Sequence, residues 1–525
     1  MQLDNDGNTS ARTIGELFNR QAVEQGNNPF LILPESGETL TFSLAAAVST
    51  DVGEFLVRNG FVPGDRVALI LPNGKESALA LLGVMSAGGV AVPLNPRLTS
   101  DEIGQALQQS SARFVICHSG RNPEPALANA GFSPVPCDTF QGLQITLLVR
   151  ATAGVGCSSA VTPDSGRSPA LILFTSGTTG TPKGVVLSHA NLLVNASFVR
   201  DAHHLTSDDI ALCVLALFHI NGLVVTLLTP LLTGMAVVIP ERFAAEHFWG
   251  WVADHRVTWF SAVPTILSLL LSHPAPEGKE TASLRFARSA SAPLPVAILE
   301  EFEQRFAVPV IETYGISEAA CQVTANPLPP LLHKPGSAGL PVGNQLRVVD
   351  EQGAELPQGG VGEVVLRGKN VFSGYLDNLK GDQEALKAGW FHTGDLGYLD
   401  KEGYLFLTGR IKELINRAGE KISPREVEEV IHRLPQVEAV GVVGVPHQLY
   451  GEEVTAFVTL RPGSALDIDS IRRFCQEHLA GFKTPRQVFF IEEFPKGPSG
   501  KIQRRRLVDL YAEIKNKGGA DETNL

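Results

Sequence analysis

Short β-branched runs alternate with helical patterns along the first half of the chain, and this alternation constrains the fold most strongly. Residues 66–71 predict a buried strand that ends at Pro72, residues 77–85 predict a helix of small residues, and residues 88–94 predict a second strand. A strand, a helix and a strand with short connections predict a parallel βαβ unit. The same alternation recurs at residues 112–117, 170–174, 257–263 and 308–312. We therefore expect a large α/β body built on more than one sheet.

The pattern changes near residue 346. Short strands at 346–350, 362–367 and 404–407, separated by Gly and Asp turns, predict an antiparallel or barrel-like subdomain at about 340–409. A small α+β unit follows, with a helix that begins at Pro424. Its further strands and helices are predicted at residues 437–445, 453–460, 469–479 and 487–491. We expect an N-terminal domain of residues 1–409 and a C-terminal domain of residues 410–525, joined by a short hinge because no low-complexity linker separates them.

Composition excludes several classes of protein. The chain has 525 residues, 44% of them hydrophobic and 19% charged, which is the composition of a globular protein with more than one domain. Its net charge of −12 argues against binding to nucleic acids or anionic membranes. The six cysteines form no C-x-x-C pair, and the N-terminus is polar, so we expect a reduced cytoplasmic setting without a zinc site. The apolar stretch at 211–240 is interrupted by polar residues and Pro230, which predicts core elements rather than a membrane span.

One loop indicates phosphate chemistry. After the predicted strand at 170–174, seven consecutive residues are Ser, Thr or Gly, and a lysine follows two positions later. Glycines let backbone N–H groups converge on an anion, while hydroxyls add donors and lysine adds charge. The spacing differs from a Walker A loop, and the alternative is a flexible surface turn. The residues that we expect to bind the phosphates are Thr175, Ser176, Gly177, Thr178, Thr179, Gly180 and Lys183.

This loop resembles the signature loop of the adenylate-forming superfamily, which includes acyl- and aryl-CoA synthetases, firefly luciferase and peptide-synthetase adenylation domains. Further segments at 312–318, 390–395, 409–412 and 495–501 are similar to the family's other motifs, in the same order. The matches extend over residues 15 to 510. The resemblance implies a large N-terminal domain and a small, mobile C-terminal domain.

The family motifs imply how ATP is held. Tyr314 would pack on adenine, Ser317 would contact phosphate, and Glu318 would hold Mg²⁺, a hard cation that takes oxygen ligands. Asp395 would accept hydrogen bonds from the ribose hydroxyls, since a carboxylate is an acceptor with two oxygens. Arg410 would reach the ribose or the phosphates.

Three further residues have implied roles in the two steps of catalysis. Lys501 would bridge the substrate carboxylate and the α-phosphate of ATP, which places a positive charge between two anions. Lys412 matches the hinge about which the C-terminal domain rotates. Gly419 matches the segment that lines the tunnel for the pantetheine arm of coenzyme A, although an ordinary turn is the alternative.

Several stretches, at 262–265, 284–292, 333–337 and 419–424, resemble the oxalate–CoA ligase branch. The candidate acyl pocket comprises His219, Ser289, Ser291, Gly315 and Cys321. That branch carries a histidine where this chain has Cys321. A fatty, an aromatic and a small dicarboxylic acid therefore all stay open.

We predict an ATP-dependent acyl-CoA synthetase that uses ATP, Mg²⁺ and coenzyme A. Alternatives are a ligase that loads the phosphopantetheine of a carrier protein, a non-catalytic adenylate-binding protein, and a light-emitting oxygenase. The four residues that a dead enzyme would lose, Lys183, Glu318, Asp395 and Lys501, are all present. The sequence does not predict an oligomeric state.

Overall fold

A computed structural model of the chain describes residues 11–120, 125–135, 142–150, 166–175, 182–274, 276, 280–495 and 502–516. In these residues the chain forms one large α/β body, one antiparallel sheet and one small α+β unit.

The α/β body contains the first sixteen strands and ten helices of the described chain. The strands are β1 Pro29–Leu33, β2 Glu38–Thr41, β3 Arg66–Ile70, β4 Val90–Pro93, β5 Phe114–His118, β6 Phe132–Pro134, β7 Ile145–Arg150, β8 Pro169–Thr175, β9 Lys183–Ser188, β10 Ile210–Leu212, β11 Ala236–Val238, β12 Trp259–Ala262, β13 Phe286–Ser289, β14 Val310–Ile316, β15 Cys321–Ala325 and β16 Leu340–Pro341. The helices are α1 Ile14–Glu24, α2 Phe42–Arg58, α3 Lys75–Ser86, α4 Ser100–Ser110, α5 Pro125–Asn129, α6 His189–Ala202, α7 Thr229–Thr233, α8 Ala245–Asp254, α9 Pro264–Ser272 and α10 Val296–Phe306. A π-helix, Asn221–Leu228, precedes α7, and a 3-10 turn, Ser317–Ala319, follows β14.

These strands form two sheets. The seven-stranded sheet has the order β6-β7-β5-β3-β4-β8-β9, and the nine-stranded sheet has the order β16-β15-β14-β13-β12-β10-β11-β1-β2. The predicted βαβ unit is confirmed, because β3 and β4 are parallel neighbours joined by α3. One apolar cluster combines residues of both sheets with α1, α2, α3 and α6, so these helices are packed between the sheets.

A third sheet, which is antiparallel, follows. Its strands are β17 Gln345–Val349, β18 Gly362–Arg367, β19 Leu386–Lys387, β20 Trp390–Leu399 and β21 Leu405–Arg410, with helix α11 Leu379–Ala385. The long strand β20 pairs with β18, β19 and β21. This sheet is the subdomain that the sequence predicts at about 340–409.

The α+β unit begins after a 3-10 turn at Ile411–Glu413. Its strands are β22 Ile415–Arg417, β23 Glu420–Ile422, β24 Val437–His447, β25 Gly451–Leu460 and β26 Gln487–Phe490, and its helices are α12 Pro424–Ile431, α13 Ile468–His478 and α14 Arg504–Asn516. Helix α14 was not predicted. Its Leu507, Tyr511 and Ile514 are buried in a cluster with Phe457 and Phe489.

The apolar stretch at 211–240 forms the end of β10, the π-helix, α7 and β11. In the part of the chain that the structure describes, no helix is long and apolar enough to cross a membrane.

Candidate active site

A cleft of about 1650 Å³ opens where the α/β body, the antiparallel sheet and the C-terminal unit meet. Tyr314 at the end of β14 and Asp395 of β20 line it, as does Ser291 in the loop after β13. Arg425 of α12 and Ile502 line it from the side of the C-terminal unit. All three parts of the fold therefore contribute to one site.

Three predicted nucleotide-binding residues meet in this cleft. The Tyr314 hydroxyl donates a hydrogen bond of 2.5 Å to Asp395 Oδ2, and Arg410 Nε pairs with Asp395 Oδ1 at 2.7 Å. Asp395 and Arg410 are opposite each other on β20 and β21, so strand register brings this pair together. Burial and the Asp395 carboxylate raise the pKa of Tyr314 well above its usual range, and the same carboxylate raises the pKa of Arg410. Both side chains therefore remain donors to Asp395.

The part of β20 that presents Asp395 is itself held by hydrogen bonds. Glu363 of β18 pairs with His392 Nδ1 at 2.7 Å and accepts from the Gly394 N–H at 3.0 Å. Thr393 Oγ1 accepts from the Asp395 N–H at 3.0 Å. Gly394 has a φ of 71°, a conformation that favours glycine. The carboxylate of Asp395 is thus fixed before any ligand binds.

Glu318 occupies the 3-10 turn after β14, with Ser317 half-buried beside it. The Tyr375 hydroxyl donates to Glu318 Oε1 at 3.0 Å, and the Lys183 ammonium lies 4.6 Å from the centroid of the Tyr375 ring. Burial disfavours the ionised carboxylate of Glu318 and therefore raises its pKa. A bound cation would stabilise the ionised carboxylate and offset this effect. Within the described ranges, no group of three or more His, Cys, Asp or Glu side chains could form a metal cage. One buried carboxylate still fits Mg²⁺, because this ion commonly uses one or two carboxylates together with water and substrate phosphates.

The described ends of the Ser/Thr/Gly loop are Thr175 and Lys183, which are paired across β8 and β9. Helix α6 follows β9 directly and is capped by Ser188 and Asn191, which fixes the strand that carries Lys183. The predicted phosphate-binding residues Ser176, Gly177, Thr178, Thr179 and Gly180 lie outside the described residues.

Lys501 also lies outside the described residues, but its neighbours on both sides are anchored. The Gln503 N–H donates to the Pro495 carbonyl at 2.8 Å, and Ile502 lines the cleft. Arg504 pairs with Glu413 at 2.9 Å and with Glu428 at 2.8 Å. A run of three arginines such as 504–506 is by default a solvated face, but the guanidinium of Arg504 is bound by two carboxylates from distant segments.

The predicted acyl-pocket residues are only partly brought together. Ser291 and Gly315 line the cleft, and an added Cβ on Gly315 would lie 1.9 Å from the Cys321 carbonyl oxygen, so this position needs glycine. Ser289 and Cys321 are buried, at 0% and 4% exposure, and the Cys321 thiol contacts Arg288. His219 is half-buried just before the π-helix, with its ring 4.6 Å from that of Phe218.

The two residues assigned to domain movement lie at exposed positions. Lys412 is exposed in the 3-10 turn between β21 and β22. Gly419 has a φ of 93°, and an added Cβ would meet no atom within 4 Å. In this arrangement the positive φ of residue 419, and not a close contact, is the reason why glycine is favoured there.

Four residues of this region were not recognised as functional candidates from the sequence: Asn221, Arg288, Glu312 and Tyr375. Asn221 Nδ2 donates to Ser291 Oγ at 3.3 Å, and Arg288 donates to Asn221 Oδ1 at 3.0 Å. Glu312 is buried beside α12, and burial raises its pKa to about 7. A polar residue within a strongly apolar strand was the available signal for Arg288 and Glu312.

Comparison with known proteins identifies the family. Residues 18–376 match the model of the AMP-binding enzyme family, and residues 426–501 match that of the AMP-binding enzyme C-terminal domain. The chain is 40% identical to sulfoacetate–CoA ligase of Cupriavidus necator, covering 95% of this chain and 97% of that protein. It is also 40% identical to oxalate–CoA ligase of Arabidopsis thaliana, covering 86% and 90%. ATP-bound MatB from Rhodopseudomonas palustris has a similar structure, with a TM-score of 0.83 at 28% identity over 96% of this chain and 99% of that one.

The fold and the cleft define an acid–thiol ligase of the AMP-forming type. The chain belongs to the AMP-binding enzyme family.

Proposed function

We propose that the chain activates a small acid with two anionic groups, using ATP and Mg²⁺, and transfers its acyl group to coenzyme A. The observation that carries the proposal is the arrangement of Tyr314, Asp395 and Arg410 in one cleft, with Glu318 near enough for the charges of Asp395 and Arg410 to act on its pKa. Asp395 uses one acceptor site on each oxygen for these protein donors, which leaves lone pairs for the two ribose hydroxyls. The Tyr314 ring would then pack on adenine, and Ser317 would contact phosphate.

In the first half-reaction, a carboxylate oxygen of the acid attacks the α-phosphorus of ATP, and the bond to pyrophosphate breaks. Lys183 and the loop at 175–181 would hold the phosphates, and Lys501 would act between the two reacting anions. Mg²⁺ bound by Glu318 would neutralise charge on the phosphate oxygens. The remaining contribution of the chain is positioning and charge stabilisation.

In the second half-reaction, the thiol of coenzyme A attacks the acyl carbon, AMP leaves with the former carboxylate oxygen, and the thiol proton is released. The C-terminal domain, 410–525, would rotate about Lys412 to withdraw Lys501 and bring Gly419 to the thiol tunnel. The chain matches ATP-bound MatB with a TM-score of 0.83 and apo MatB with 0.73, which supports an arrangement suited to the first half-reaction.

The names of two relatives support the class of acid, since sulfoacetate and oxalate each carry two anionic groups on a short chain. The cleft wall supports it as well, because Ser291, which lines the same cleft as Gly315, offers a hydroxyl. Among the described cysteines, Cys213, Cys321 and Cys475 are buried free thiols, which supports a reduced compartment such as the cytoplasm.

The test is pyrophosphate release by purified protein with oxalate, malonate, sulfoacetate, fatty acids and aryl acids, each with and without coenzyme A. We expect release with a short dianionic acid and formation of its CoA thioester. A Streptomyces coeruleorubidus relative, 35% identical, is named as a fatty acid–[acyl-carrier-protein] ligase, so a holo-carrier protein is the comparison acceptor. Thioester formation on the carrier but not on coenzyme A would refute the proposed acceptor, and activation of long acids alone would refute the proposed acid.

Lys501→Ala separates the two half-reactions. This variant should lose adenylate formation but still convert synthetic acyl-adenylate and coenzyme A to the thioester. Equal loss of both reactions would contradict the proposed rotation of the C-terminal domain.

A further inference from the structure

Arg288 of β13 is completely buried, and its side chain contacts neutral groups. Nη1 donates to Asn221 Oδ1 and to Ser261 Oγ, each at 3.0 Å, and Nη2 donates to Gln322 Oε1 at 3.1 Å. The Cys321 thiol also lies against the guanidinium, and burial raises the pKa of this thiol, so that it is uncharged. No carboxylate forms an ion pair with Arg288 among the residues for which the structure gives side chains.

A buried guanidinium without a counter-ion is unusual, because arginine stays protonated and loses its hydration when buried. Burial lowers the pKa of Arg288, which reflects this cost. Neutral oxygens accept hydrogen bonds from Nη1 and Nη2, but Nε has no hydrogen-bond partner among the described residues, and the net charge stays uncompensated. The region around Arg288 therefore carries a positive potential.

The hydrogen bonds of Asn221 connect this charge to the cleft. Asn221 Oδ1 accepts from Arg288 Nη1 and from Ser261 Oγ, so the amide must direct its Nδ2 group the other way. Nδ2 donates to Ser291 Oγ at 3.3 Å, and Ser291 lines the cleft. In this hydrogen bond the Ser291 oxygen is the acceptor. The hydroxyl therefore keeps its own O–H, which can donate to a ligand.

The backbone at Ser291 supports a functional role for this hydroxyl. Its φ is 74°, a region that favours glycine, yet the chain carries a side chain with a polar atom there. Conformations of this kind cost free energy and concentrate at binding and catalytic sites.

We propose that Arg288 determines specificity for an acid with a second anionic group, acting through Asn221 on the Ser291 hydroxyl, which donates to that group. The inference rests on the proposed function and names the residues that would select its substrate. Arg288 is a positioning and electrostatic residue here, and Ser291 is the one that touches the distal carboxylate or sulfonate.

The size of the effect follows from distance. The path from the guanidinium runs through the hydrogen bond to Asn221, across the Asn221 amide, through the hydrogen bond to Ser291 and on to the ligand. A ligand that accepts from Ser291 therefore lies within about 11 Å of the guanidinium. At an effective dielectric constant of about 20, this corresponds to on the order of tenfold in transition-state binding of an anionic tail. A neutral tail of the same shape gains nothing.

The experiment compares kcat/KM for pairs of acids of similar shape that differ in the charge of the tail: malonate and acetoacetate, oxalate and pyruvate, sulfoacetate and methylsulfonylacetate. The variants are Arg288→Met, which removes the charge, Asn221→Asp, which neutralises it with a carboxylate, and Ser291→Ala, which removes the donor. Arg285→Gln is the matched control, since Arg285 lies three residues away and pairs with Asp209 at 2.5 Å instead.

We expect the ratio of kcat/KM for the anionic and neutral members to fall about tenfold in each of the three variants and to stay unchanged in Arg285→Gln. Activity with the neutral member reports whether each variant is folded, and Asn221→Asp and Ser291→Ala carry the test if Arg288→Met does not fold. Variants that activate the neutral acid normally and keep the wild-type ratio would overturn the inference while leaving the proposed function intact. A wild-type enzyme that activates none of the anionic members would overturn both.

Discussion

Glu312 gives a quantitative prediction about stability and pH. This β14 carboxyl is 6% exposed, its Oε1 accepts from the Leu294 N–H at 3.4 Å, and its Oε2 has no hydrogen-bond partner among the described residues. Burial raises its pKa from 4.5 to about 7, with Arg425 of α12 acting in the opposite direction. Between these two pH values the folded chain keeps a proton that the unfolded chain has released. The free energy of unfolding therefore falls as pH rises through this range and levels off above it.

The two pKa values determine how much the free energy of unfolding falls. Their difference corresponds to about 3 kcal/mol. Glu312→Gln keeps an acceptor for the Leu294 N–H but cannot ionise. Relative to wild type, the variant should therefore gain about 3 kcal/mol between pH 4.5 and pH 8.

The assay is urea unfolding of both proteins at several pH values between 5 and 8.5. Buried histidines with lowered pKa values, His189, His203 and His432, make stability rise with pH, but they are common to both proteins and cancel in the difference. Glu300→Gln is the control, because Glu300 is exposed on α10. A difference between Glu312→Gln and wild type that does not change with pH would refute the reasoning.

Three further predictions concern the active site and the C-terminal unit. Tyr314→Phe removes the donor to Asp395 and should raise KM for ATP about ten- to hundredfold, by the usual value of a hydrogen bond to a charged group; an unchanged KM would contradict the role of this contact. Tyr375→Phe frees Glu318 of its hydroxyl partner and should change the Mn²⁺ affinity of the ATP complex, measured by electron paramagnetic resonance, whereas an unchanged affinity would place Glu318 away from the metal. Arg504→Ala breaks two ion pairs and should lower the free energy of unfolding of the C-terminal unit by about 1 kcal/mol in urea titrations; equal stability would show that these partly exposed pairs contribute nothing.

The elements predicted best were those whose signal is local. The β-branched run at 66–71 formed β3, and Pro424 at the first position of α12 began the helix as expected. Helix α14 was missed because three arginines at its start hide an apolar stripe, in which Leu507, Tyr511 and Ile514 recur at helical spacing. Such a charge run is by default a solvated face, but its first arginine, Arg504, binds two carboxylates.

The site could be predicted only where family motifs supply the residues. The pairing of Tyr314 with Asp395 links positions 81 residues apart, and no local pattern specifies such a contact. The contact between Arg288 and Asn221 likewise spans 67 residues. Physical reasoning from sequence gives residue types and periodicity, whereas these contacts depend on which strands become neighbours.

The arrangement around Lys412 explains how one short segment can act as a hinge. Arg410 is bound to Asp395 on the antiparallel sheet, whereas Glu413 is bound to Arg504 of the C-terminal unit. Lys412, which is exposed, therefore lies between two residues that are anchored to different domains, and a rotation would concentrate its changes in φ and ψ there.

The contacts that such a rotation would break are weak. The described apolar clusters of the C-terminal unit, within residues 415–514, contain no residue of the N-terminal domain. Ion pairs across the interface join Arg461 to Glu301 at 3.4 Å and Lys421 to Glu351 at 2.9 Å, and all four side chains are more than one third exposed. Exposed pairs contribute at most about 1 kcal/mol each, so they would not prevent the proposed rotation from being reversed in every catalytic cycle. A ligase that carries out two half-reactions on one adenylate requires two domains that can move relative to each other. Separate cores and a polar interface permit this movement.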